Sequence, residues 1–63
     1  SLMKNQPMAD LSTAESNYNG GNMRQAFVFA SRARRGLPQG SVDWQRAHDI
    51  IGDAGPQAAQ QGR

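Results

Sequence analysis

The run Met23-Arg24-Gln25-Ala26-Phe27-Val28-Phe29-Ala30-Ser31-Arg32-Ala33-Arg34-Arg35-Gly36-Leu37-Pro38 decides the fold. Met23, Ala26, Phe27, Ala30, Ala33 and Leu37 recur at three- and four-residue steps, the repeat of one helix face, with Val28 and Phe29 widening the stripe. Gly36 followed by Pro38 has the order of a helix stop. A helix over about 22–35 is expected.

Working outward, Met8, Leu11, Ala14 and Tyr18 keep the same period upstream, which predicts a helix over about 8–19. Ser12-Thr13-Ala14-Glu15 also fits a capping box, leaving a start near Ser12 open. Asn19-Gly20-Gly21-Asn22 then forms a turn, because Gly accepts positive φ without a steric cost. Downstream, Ser41 occupies an N-cap position, Asp43 stands in the first turn, and Trp44, Ala47, Ile50, Ile51 and Ala54 continue at helical spacing. A third helix over about 42–53 follows, stopped by Gly52, Gly55 and Pro56. Residues 1–7 and 56–63 lack large apolar groups at regular spacing and are expected to be disordered, so the ordered body is 8–55. No alternating β-branched run exists, and the class is all-α: three antiparallel helices joined by short connections.

Composition narrows the function. The chain has 63 residues, 37% hydrophobic, and nine of its hydrophobic residues are alanine. So thin a core makes the fold marginal in isolation, and a walled catalytic cleft needs a larger scaffold. Cysteine is absent, and a single His48 with scattered Asp gives neither zinc-ligand nor calcium-loop spacing. No catalytic residue, metal site or cofactor is expected. The first seven residues are not a signal peptide, and a first residue that is Ser points to processing or to a piece of a longer protein. Nothing in the composition specifies a compartment.

The net charge of +2 is unevenly placed: residues 22–40 carry Arg24, Arg32, Arg34 and Arg35 and no acid. A helix-turn-helix reader of DNA would need basic and polar residues on its last helix, which here is acidic, so nucleic acid is disfavoured. Arg32, Arg34 and Arg35 fit a solvated last helical turn, where cations favour the dipole and Asp43, Asp49 or Asp53 on the next helix could pair with them. Trp44, Phe27 and Tyr18 are expected in the core. Phe29 lies on the edge of the stripe, and with Arg32 and Arg35 it is the expected partner-binding surface. The partner would be a protein or peptide; direct membrane insertion is not expected, because the helix over 22–35 is too rich in Ala and too poor in Lys.

Small residues and turns also fall at fixed intervals: Ala14, Gly21, Asn22-Met23, Ala26, Ala33 and Pro38. This pattern resembles a tetratricopeptide repeat. The resemblance implies that Ala14, Ala26 and Ala33 let two helices approach closely, Gly21 makes the turn and Pro38 closes a unit over 7–40. Trp44 follows Asp10 by 34 residues, the repeat length, and stands where such a first helix opens. Residues 41–55 would then begin a second repeat or cap the first. Asp10, Ala30 and His48 depart from the pattern. More faintly, Ala30-x-x-Ala33-Arg34-Arg35-Gly36-Leu37-Pro38-x-Gly40-Ser41-x-x-Trp44-x-Arg46-Ala47-x-Asp49-Ile50-Ile51 is similar to the C-terminal repeat tails of predicted bacterial zinc metalloproteases with an H-E-x-x-H site. That motif is absent here. Both resemblances imply an accessory interaction or scaffolding module.

Overall fold

The computed structural model describes residues 6–61. It is all-α: α1 spans Gln6–Asn19, α2 Met23–Gly36 and α3 Val42–Gln61. Cross-helix pairs set the directions. Pro7 lies against Gly36 and Phe27 against Gly55, while Arg34 meets His48. Pro7–Gly36 joins the start of α1 to the end of α2, and Phe27–Gly55 with Arg34–His48 run in opposite order along α2 and α3, so α2 runs antiparallel to both. Glu15–Arg46 and Tyr18–Asp53 advance together along α1 and α3, which are therefore parallel. The central α2 packs heavily on both neighbours, and α1 touches α3 only lightly. Extents of 38 × 22 × 16 Å describe a flattened slab.

Alanine makes that slab thin. The buried apolar residues are Leu11, Ala14, Ala26, Ala30, Ala33, Ala47, Ile50 and Ala54, and all six alanines are fully inaccessible. Small side chains allow close helix approach, so packing compensates in part for the scarcity of large ones. Tyr18, Met23, Phe29, Leu37 and Ile51 pack around this cluster, half-buried.

Several sequence expectations are corrected by tertiary packing. Helix α1 spans Gln6–Asn19 and does not start near residue 8 or Ser12, and Ser12 is an exposed residue within it. Met8 is 42% exposed, and Pro7 occupies the position against α2 instead. The helix α2 ends with Gly36 in helical rather than left-handed conformation. Leu37 leaves in an extended conformation (φ −96, ψ 149), as expected of a residue before proline, and its N–H donates to the Ala33 carbonyl. Positive φ is confined, among the described residues, to Gly21 (+84) and Gly40 (+86). Ser41 does cap α3, accepting from the Trp44 N–H at 3.1 Å.

The largest correction concerns the third helix. It does not stop at Gly52, Gly55 and Pro56 but continues through all three to Gln61, so 56–61 is helical and not a disordered tail. Proline within a helix costs about 3 kcal/mol and each glycine about 1 kcal/mol. The offset comes from α2: the register that places Phe27 against Gly55 carries the start of α2 alongside the stretch after Pro56. Ala54 is fully buried and Ala58 half-buried there. The expected disorder of residues 1–5 and 62–63 lies outside the described residues.

Candidate functional site

At the end of α2 the chain has three arginines in four positions, and the fold sends them in different directions. Arg34 crosses to α3, where its Nη1 lies 2.9 Å from His48 Nδ1. A guanidinium only donates, so Nδ1 accepts and the ring proton belongs on Nε2. The His48 ring stacks on Trp44 one turn earlier, with centroids 5.0 Å apart and planes within 7°. Trp44 is thus half-buried beneath an imidazole and does not join the apolar core expected of it.

Arg32 and Arg35 point the other way. The Arg32 guanidinium sits over the Phe29 ring, 5.5 Å from its centroid, a cation–π arrangement. Arg32, Arg35 and Gly36 then form one wall of an open depression whose other wall is Gln6, Pro7 and Asp10 of α1. Gly36 makes this meeting possible: a Cβ there would lie 2.5 Å from Pro7 Cγ. Asp10 is buried, 6% exposed, and accepts a 3.1 Å hydrogen bond from Gln6 Nε2. Of the expected partner-binding residues, Arg32 and Arg35 line this depression, and Phe29 adjoins it through its contact with Arg32. The acids expected to pair with these arginines are elsewhere. Asp49 accepts from Gln45, Asp53 from Tyr18, and Arg34 takes His48 in place of an acid.

The two phenylalanines exchange their expected places. Phe29 was expected at an exposed edge, yet it is half-buried against the core; Phe27 was expected in the core, yet it is 36% exposed. Phe27 nevertheless has a partner, since its ring edge faces the Gly55 backbone. Periodicity could not separate them, because both fall on the wide apolar stripe of α2 and only the approach of α3 decides which is covered.

On the opposite edge α1 meets α3 through polar groups. Arg46 Nη1 bonds Glu15 Oε2 at 2.8 Å, an exposed ion pair that raises the Arg46 pKa through its hydrogen bond and then its charge. The Tyr18 hydroxyl donates to Asp53 Oδ2. That bond, then burial and the Asp53 charge, raises the phenol pKa above its usual 10.0. Tyr18 is therefore a half-buried tether, and the spacing gave no sign of its Asp53 partner.

Ala14, Ala26 and Ala33 are fully buried in the core cluster, Gly21 turns the chain between α1 and α2, and Pro38 is exposed in the second connection. Among the described residues, no group of three or more His, Asp or Glu comes together as a metal site, and no helix is long and apolar enough to cross a membrane. No protein-family model, curated protein or solved structure matches the chain.

Proposed function

We propose that this chain is a non-catalytic protein–protein interaction or scaffolding module, a tetratricopeptide-like helical hairpin completed by a third helix. The observation that carries the reading is the Phe29–Arg32–Arg35 edge, where an aromatic ring, two guanidinium groups and an open depression meet without an acidic side chain bridging to either arginine. Aromatic and arginine side chains are the groups most often responsible for affinity at protein interfaces. The repeat-like part of the reading is supported by the complete burial of Ala14, Ala26 and Ala33 and by the positive φ of Gly21.

Replacing Phe29 and Arg32 together by Ala tests it. Proteins retained by the immobilised chain should be lost selectively, while far-ultraviolet circular dichroism keeps its helical signal. Retention unchanged by the double replacement would remove this edge as the binding surface.

A further inference from the structure

We propose that the depression between the first described turn of α1 and the last turn of α2 takes an acidic peptide segment, its carboxylates held by Arg32 and Arg35 and an adjacent apolar side chain resting against Pro7 and Gly36. The proposal rests on the reading of Phe29, Arg32 and Arg35 as the partner-facing edge and adds the chemistry of what binds there.

Charge complementarity is the first reason. Arg34 is turned to His48 and Arg46 is paired with Glu15, but among the described residues neither Arg32 nor Arg35 has a hydrogen bond or ion pair. Both residues are exposed and stand one helical turn apart, matching carboxylates at i and i+3 or i+4 of a helical peptide, or at alternate positions of an extended one. Preorganisation is the second. The Arg32 guanidinium is held over a half-buried Phe29, 5.5 Å from its centroid, so less side-chain freedom is lost when it binds.

Shape is the third reason. Because Gly36 has no Cβ, the Pro7 ring of α1 seats directly on the end of α2, and the two residues bring apolar surface to the depression beside the two cationic side chains. The same site fits a phosphate backbone poorly. Asp10 lines the depression, the two arginines form no extended track, and Glu15, Asp49 and Asp53 border the other helix surfaces. Two arginines one helical turn apart match a short acidic segment, whereas a strand of phosphates needs a longer run of cations.

Fluorescence anisotropy on the whole chain tests this with a labelled peptide of about a dozen residues, bearing Glu at every third or fourth position and Leu between. A second peptide has Gln in place of each Glu. The acidic peptide should bind at least about tenfold more tightly than its Gln counterpart, and R32Q/R35Q should weaken it by about tenfold or more. Circular dichroism should show the variant folded, since both side chains are exposed. Raising salt from about 50 to about 200 mM should weaken binding several-fold.

Equal binding of the two peptides, or indifference to R32Q/R35Q, overturns the proposal. So does displacement of the peptide by low-millimolar inorganic phosphate, which would mean an unspecific anion site. Sedimentation showing self-association that R32Q/R35Q abolishes, without peptide binding, would replace the peptide with a second copy of this chain. If the acidic peptide fails while the Phe29/Arg32 double replacement still abolishes retention of partners, only the partner chemistry is wrong; if both fail, the edge itself is not the binding surface.

Discussion

Pro7 and Gly36 meet so closely that a single added carbon on Gly36 would lie 2.5 Å from Pro7 Cγ. This contact joins the beginning of α1 to the end of α2 and sets the width of the depression bordered by Arg32 and Arg35. Gly36 is helical, so its value lies in the missing side chain and not in unusual backbone freedom.

Gly36→Ala should therefore destabilise the chain even though alanine is the better helix former. Overpacking costs about 1–3 kcal/mol, against a propensity gain of about 1 kcal/mol. A lowered denaturation midpoint in urea is the expected readout. A raised midpoint would show that the Pro7 ring yields without cost.

Helix α3 offers the opposite case. A Cβ on Gly52 meets nothing within 4 Å, and one on Gly55 comes to 3.4 Å from Phe27 Cε1, an ordinary contact. Gly52→Ala should stabilise by about 0.5–1 kcal/mol, and Gly55→Ala should do so by no more than that. Thermal melts of the two variants beside Gly36→Ala separate glycines kept for space from those that are not.

Ala26 is fully buried in the core cluster, so Ala26→Leu should destabilise by about 1–3 kcal/mol. An unchanged melting temperature would argue against close helix approach at this position and hence against a tetratricopeptide-like hairpin.

The Tyr18–Asp53 tether predicts alkaline sensitivity. A phenol whose folded pKa is raised above its usual 10.0 adds stability while protonated, and that stability is lost as pH rises through the folded value. Urea midpoints of the native chain should fall more steeply above pH about 10 than those of Tyr18→Phe. Parallel declines would show that the hydroxyl contributes nothing to holding α1 against α3.

Helix class, the existence of three helices and the positions of both connections were legible in the sequence, because period and turn chemistry are local properties. Ser41 as a cap was legible for the same reason, and Ala14, Ala26 and Ala33, which the repeat resemblance places between helices, are fully buried. What lay between helices was not. Phe27 and Phe29 share one stripe, and only the placement of α3 exposes the first and half-buries the second. Trp44 read as a core residue, yet it stacks on His48, whose ring is in turn held by Arg34 from another helix.

Periodicity, residue volume and charge, written position by position, specify an all-α chain with a small-residue core and a basic end on its second helix. How far α3 runs depends on packing, because α2 stabilises a stretch whose Gly52, Gly55 and Pro56 would end an isolated helix. The same holds for which arginines remain without acid partners, because that depends on side chains from α1 and α3 that are distant in sequence and adjacent only after packing.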